Sequence, residues 1–147
     1  MEGEIRGKIH FDQESPEEPV LITGEVLGLR PGKHGFHIHE FGDLGNGCLS
    51  TGMHFNPFKK PHAGPSSSER HLGDLGNIET DGEGITKFHI EDKMITLFGI
   101  NSIVGRAVVI HQDEDDLGLG GHEDSKTTGH AGSRLACGII ALTAPAQ

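Results

Sequence analysis

His34-Gly35-Phe36-His37-Ile38-His39-Glu40-Phe41 is the stretch on which the fold turns. Residues two apart share a face of a strand, so His37 and His39 leave one side while Phe36 and Ile38 leave the other. The apolar side belongs to a core, and the imidazole pair lies outside it. Working outward, alternating or β-branched runs bounded by Gly, Pro and Asp occur at about 7–13, 20–28, 84–91, 93–99, 103–112 and 136–142. With the stretch 34–41 these make seven short strands and few helical signals, which predicts an all-β sandwich or barrel.

Composition agrees with that pattern. The chain has 147 residues, 23 Gly, 7 Pro and neither Trp nor Tyr, so its apolar residues come in short runs separated by many turns. This length predicts a single domain over residues 1–147, with no room for a second catalytic domain. Two segments, about 42–83 and about 112–135, are rich in Gly, Asp, His and Ser and far exceed ordinary connections, so they are either disordered or tied down for a function. Gly-Asp-Leu-Gly-Asn occurs at 42–46 and at 73–77 without any surrounding repeat, and reads as shared turn chemistry.

A formal net charge of −10 repels phosphate backbones and argues against a nucleic-acid partner. No apolar stretch approaches the roughly 20 residues that cross a bilayer, so no membrane association is expected. Met1-Glu2-Gly3-Glu4 lacks the features of a leader. A cytoplasmic location is the expectation, with a secreted form whose leader has been removed left open. Cys48 and Cys137 are far apart and not in C-x-x-C spacing, which disfavours a thiolate zinc site or a dithiol redox motif. On these grounds alone they are either two free thiols, the commoner case in the cytosol, or one bridge.

Eleven histidines are present, and their placement matters more than their number. An H-x-H pair alone is as readily a solvated strand face as a ligand pair. His54, His62, His71 and Asp74, however, all fall in the first long segment, and His111 ends the apolar run Val108-Val109-Ile110. A polar loop of this length has little apolar surface with which to fold, whereas metal ligation converts binding free energy into folding free energy. Imidazoles with one carboxylate and no thiolate or thioether suit zinc, copper(II), iron or nickel, and argue against a blue-copper site. Six His and one Asp suffice for two metals if one imidazole is shared. Spacing does not show that sharing, and a di-zinc hydrolase or a mononuclear zinc enzyme fits the same list.

Five motifs, in order, carry a resemblance to a known family. They are His34-Gly35-Phe36-His37-Ile38-His39-Glu40-Phe41-Gly42-Asp43; Met53-His54-Phe55-Asn56-Pro57; Glu69-Arg70-His71-Leu72-Gly73-Asp74-Leu75-Gly76-Asn77; Val109-Ile110-His111 with Asp115-Asp116-Leu117-Gly118; and Gly132-Ser133-Arg134-Leu135-Ala136-Cys137-Gly138. Over about residues 7 to 142 the chain resembles the eukaryotic copper/zinc superoxide dismutases. The resemblance implies a Greek-key, immunoglobulin-like sandwich or flattened barrel of seven to eight antiparallel strands with two long functional loops. It assigns copper to His37, His39, His54 and His111, and zinc to His54, His62, His71 and Asp74, with His54 bridging. It makes Asp115 a carboxylate behind His37 and His62, Arg134 the guanidinium that guides the anion, and Cys48–Cys137 a disulfide, which overrides the free-thiol expectation. The implied reaction converts superoxide to oxygen and hydrogen peroxide by alternating reduction and oxidation of copper, with His54 supplying a proton. Implied partners are superoxide, a copper chaperone, and a second copy packed through Phe41, Gly42, Val104, Gly105, Ile139 and Leu142.

The remaining histidines take structural roles in this reading. His34 matches a position that pins loop backbone, while His10, His89, His122 and His130 read as surface or loop residues. The chain departs from the family pattern in three places. About nine residues are missing at the start, which leaves the first strand reduced to Met1–Arg6 or absent. The steering lysine, Lys126, is displaced by one position in Ser125-Lys126-Thr127-Thr128-Gly129, and Lys8 stands where the dimer patch carries an aliphatic residue. The rival reading is the superoxide dismutase-like domain of a copper chaperone. Such domains commonly lack a copper ligand or the arginine, both of which are present here. A non-enzymatic zinc-binding sandwich is weaker still.

Overall fold

The computed structural model describes residues 4–144. Strands β1 (Arg6–Asp12), β2 (Val20–Leu27) and β6 (Ile85–Asp92) form one antiparallel sheet in the order β1-β2-β6. Strands β5 (Asp74–Thr80), β3 (Gly32–His39), β7 (Ala107–His111) and β8 (Arg134–Ile139) form the other, in the order β5-β3-β7-β8. Strand β4 (Gly45–Cys48) lies in the first long loop and runs into a short 3₁₀ turn, Leu49–Thr51. The expected all-β sandwich is therefore what forms.

The core explains the pairing. Val20, Ile22 and Val26 of β2 meet Phe36 and Ile38 of β3 and Val108 and Ile110 of β7, all within 9% exposure, while the intervening β2 residues are less covered. Phe36 and Phe88 pack edge to face with centroids 5.2 Å apart. Gly24 makes room for that ring, because a Cβ there would sit 2.3 Å from Phe88 Cζ. Facing sheets held by interdigitated apolar residues leave the outer face of β3 to His37 and His39. That face is not solvated: the long loops fold over it, and both imidazoles are fully buried.

Two strand expectations fail, for related reasons. Residues 93–99 alternate like a strand but leave the sheet in turns. Side chains satisfy that backbone in place of a ladder: Asp92 Oδ2 accepts from Met94 N and Ile95 N, and Gln13 Oε1 accepts from Leu97 N. Conversely, Asp74–Thr80 forms an edge strand paired with β3, although its Asp-Leu-Gly-Asn opening reads as turn chemistry. Residues 103–106 turn before β7 begins, and β8 starts at Arg134 rather than 136. The expectation of a reduced first strand over Met1–Arg6 falls partly on residues 1–3, outside the described residues. Glu4 and Ile5 are not in a strand.

A buried ion pair ties the first loop to the sheet that carries no metal ligands. The Arg70 guanidinium, 1% exposed, donates to both Asp92 oxygens at 2.7 and 2.9 Å, and to the carbonyls of Pro65 and Leu72. Removing the arginine strands a buried carboxylate. Arg70→Ala is therefore expected to cost about 3–5 kcal/mol, measured as a lower urea midpoint at unchanged slope.

Candidate metal centre

Each ligand is delivered by a local feature of the chain. A register shift between Gly35 and His37, in the β3–β5 pairing, sets the start of the imidazole face. His54 is fixed by a bridge to His39 and by the Phe55 N–H, which donates to Ile38 O at 2.8 Å. His111 ends β7 opposite Arg134, just after a second register shift. His62 is held by its backbone N–H on Lys126 O, a direct link between the two long loops. Asp74 opens β5 with Oδ2 accepting from the N–H groups of Ala63 and His71, which leaves Oδ1 free to face the rings.

Hydrogen bonding then fixes the tautomers. Carbonyl and carboxylate oxygens only accept, so the ring nitrogen facing each one carries the proton. His39 Nδ1 donates to Gly52 O at 2.9 Å, His111 Nδ1 to Gly132 O at 3.2 Å, and His37 Nε2 to Asp115 Oδ2 at 2.6 Å. The opposite nitrogens, His39 Nε2, His111 Nε2 and His37 Nδ1, are thus lone-pair bearers. All three are buried and without a partner, as is His54 Nε2. These four nitrogens lie within 4.8 Å of one another. Buried lone pairs converging on one point, with nothing of the protein to satisfy them, are what a four-nitrogen copper site requires.

The other nitrogen of His54 belongs to a second cluster. Asp74 Oδ1 lies 3.1 Å from His54 Nδ1, 2.8 Å from His62 Nδ1 and 3.2 Å from His71 Nδ1, and the His54 and His71 nitrogens are themselves 3.2 Å apart. Tetrahedral zinc with bonds of about 2.0 Å places its ligand atoms roughly 3.3 Å apart. The residues fit both metals, and His54 has one nitrogen in each set.

Electrostatics favours the ligand forms. Burial, reinforced by neighbouring imidazoles, pushes His37 well below its ordinary value, His39 down to about 2 and His111 down to about 4. Burial likewise lowers His54, against the pull of Asp74. All four copper-set imidazoles are therefore neutral at pH 7. Asp74 goes the other way: burial opposes its charge, but hydrogen bonds from His54, His62 and His71 hold it well below the carboxylate range. Burial works against a charged His62 too, yet hydrogen bonds to Asp115 and Asp74 raise it to about 9.

Asp115 couples the clusters. Its carboxylate accepts from His37 Nε2 and, at 2.8 Å, from His62 Nε2. Asn77 clamps its backbone in turn, accepting from Asp115 N at 2.7 Å and donating to Asp115 O at 3.0 Å. Gly129 covers it at φ +73, where a Cβ would sit within 2.5 Å of His62 Nε2. Asn77 and Gly129 were missed in the sequence, Asn77 because it lies within the pentapeptide that reads as a turn. His34 pins backbone as expected, with its ring between His111 O and Arg30 O. His10, His89, His122 and His130 are exposed.

Arg134 is partly buried, and desolvation lowers its pKa from the ordinary value. It donates to Cys48 O at 2.8 Å and Thr51 Oγ1 at 3.1 Å. Cys48 is bonded to Cys137, so one bridge fixes both the carbonyl that holds the guanidinium and the strand that bears it. Lys126 is exposed on the loop rim, with Nζ beside Gly118.

The family model for copper/zinc superoxide dismutase (SODC) matches residues 5–140. The chain belongs to the copper/zinc superoxide dismutase family. Members are oxidoreductases, and the two clusters are groups that could each hold a metal ion. Because Asp115 orients a ligand in each cluster, Asp115→Asn should weaken retention of both metals, by about 10- to 100-fold. Competition titrations with a chromophoric chelator, run separately for copper and zinc, measure this.

Proposed function

We propose that the chain dismutates superoxide, turning two anions and two protons into oxygen and hydrogen peroxide. One observation carries the reading: four unpartnered imidazole nitrogens converge beside a second cluster that shares His54, with a guanidinium on the residue paired to His111. His37, His39, His54 and His111 would hold copper, and His54, His62, His71 and Asp74 zinc. Copper in that nitrogen set supplies a one-electron couple able to accept an electron from one superoxide and return it to the next.

The chain's own groups do the rest. Arg134 offers fixed N–H donors to a small anion, and its anchors at Cys48 O and Thr51 Oγ1 hold it in place beforehand. His54 Nε2 is the atom suited to deliver a proton to the reduced product, because Nδ1 is engaged in the zinc cluster. Zinc held by His54 Nδ1, His62, His71 and Asp74 would keep that ring oriented. A docking role as a chaperone domain gains no support from a site in which every copper ligand and the arginine are in place.

A homodimer is part of the proposal. Gly42 lies against Gly105 O and Ile139 Cγ2, and its neighbour Phe41 is 55% exposed, as are Ile139 and Leu142 to 49% and 85%. That is an exposed apolar patch of the kind a two-fold interface buries. Light scattering should return twice the chain mass at micromolar concentration.

Two variants separate contact from steering in the metal-loaded enzyme. Arg134→Gln should lower superoxide turnover by about tenfold or more, and keep the defect at high salt, since it loses a charge-assisted hydrogen bond. Lys126→Gln should slow capture by about two- to fivefold at low salt, with the loss vanishing as exposed charges are screened. Pulse radiolysis across a salt series decides both. His54→Ala should abolish turnover and uncouple the two metals, and wild-type turnover in that variant would sink the reading.

A further inference from the structure

The turn from His122 to His130 brings two histidines into contact on the outside of the second long loop. Ser125 Oγ accepts from His122 N at 2.9 Å, and Ser125 N donates to His122 O at 3.1 Å. The Asp124 carbonyl accepts from the N–H groups of Thr127 and Thr128, so the chain doubles back. Gly129 at φ +73 and His130 at φ +54 complete the reversal. A left-handed backbone is uncommon for a residue with a side chain, and here it aims the His130 ring at two partners. Its Nδ1 lies 2.6 Å from Asp124 Oδ1, and its face stacks on His122 with centroids 3.7 Å apart and planes at 9°. Both histidines are exposed, and neither belongs to the buried clusters.

We propose that His122 and His130 form a surface site for a divalent transition-metal ion of the nickel(II), copper(II) or zinc kind, separate from the two buried clusters. A carboxylate only accepts, so His130 Nδ1 carries the proton facing Asp124, and in the neutral ring Nε2 holds the lone pair. A carboxylate behind a histidine in this way fixes the ligating tautomer and raises its basicity. His122 supplies the second imidazole. Parallel rings do not aim two lone pairs at one ion, so ligation replaces the stack: His130 stays on Asp124 while the exposed His122 ring turns. The stack shows that both rings reach the same place. Imidazole nitrogens select these ions over magnesium and calcium, which take oxygen ligands, and a net charge of −10 attracts a cation. The inner side of the turn serves the buried centre, with Lys126 O accepting from His62 N at 2.8 Å and Gly129 covering Asp115. An ion joining residues 122 and 130 ties the outer ends of the turn and so stiffens the segment that carries Lys126.

The test titrates nickel(II) chloride into tag-free, disulfide-intact protein already loaded with copper and zinc, followed by calorimetry. One equivalent should bind beyond the metals already present. His122→Gln and His130→Asn should each abolish that binding, asparagine being chosen because it tolerates the left-handed backbone. Asp124→Ala should weaken it by about tenfold or more, since the ring then loses its orienting carboxylate. Copper and zinc contents equal to those of the wild type show that the buried centre is intact in each variant. The other exposed histidines give the control: His10 and His89 lie in register on either side of Thr23, two strand spacings or about 9.6 Å apart. His10→Gln with His89→Gln should leave the nickel site unchanged. Where a lower Tm shows that His130→Asn disturbs the turn, His122→Gln still decides, because it alters an exposed ring and keeps the backbone N–H that Ser125 holds. No binding beyond the resident metals, binding that survives His122→Gln, or binding lost with His10 and His89 instead would overturn the inference.

Discussion

Two buried carboxylates govern this molecule. Asp74 and Asp115 are both at most 1% exposed, and between them they receive four of the six clustered imidazoles. Burying a carboxylate is costly unless its lone pairs are used, and burying an imidazole is costly unless both of its nitrogens are. The cluster meets that requirement on every side but one: the four nitrogens of the copper set remain without partners. His37, His39 and His111 thus have the outward nitrogen of each ring satisfied and the inward one without a protein partner. The same logic explains why one histidine serves two clusters. His54 has no carbonyl or other backbone group behind it, because its second nitrogen already faces Asp74 and His71.

From this constraint follows the arrangement of the loops. A segment of polar residues has little apolar surface to bury, so its order must come from discrete ties. Asp74 and Asp115 supply two, the Arg70–Asp92 pair a third, and the Cys48–Cys137 bridge a fourth. With a sequence separation of 89, that bridge is worth about 4–5 kcal/mol in the chain-entropy model. Its functional consequence is more local. Cys48 O and Thr51 Oγ1 both receive the Arg134 guanidinium, and Gly52 O sets the tautomer of His39. One short stretch, residues 48–52, therefore orients Arg134 and His39 together.

The sequence disclosed much of this, though unevenly. The H-x-H pair gave the face of β3 because a period of two is a property of the backbone, and the five motifs placed the ligands at positions that do converge. Two things were hidden. Whether the outer face of β3 is wet or covered depends on loops whose path no periodicity encodes, so His37 and His39 read as lying outside the core when they are among the most buried residues. Strand β5 was invisible because its pairing with β3 is set by the cluster. Asp74 must stand at its start to reach three rings, and Gly76 and Asn77 follow from the close passage of Pro65 and the clamp on Asp115. Residues 93–99 show the reverse, an alternating run drawn out of the sheet by the side chains of Asp92 and Gln13. Local pattern yields wherever a buried polar group requires the backbone elsewhere.

The same accounting bears on how a chain of net charge −10 could receive an anion. Net charge acts at long range and is screened within about a Debye length, roughly 8 Å at physiological salt, so what a small anion meets is the local arrangement. In the second long loop most acidic groups are already engaged: Asp113 with Arg30, Glu114 with Lys33, Asp116 with Ser125 Oγ, Asp124 with His130, and Asp115 with two rings. Arg134, by contrast, is bound only to neutral oxygens, those of Cys48 and Thr51. Its positive charge is oriented without being neutralised. A carboxylate in either place would hold the guanidinium as firmly but neutralise it, whereas a carbonyl and a hydroxyl as anchors fix the arginine and leave its charge uncompensated.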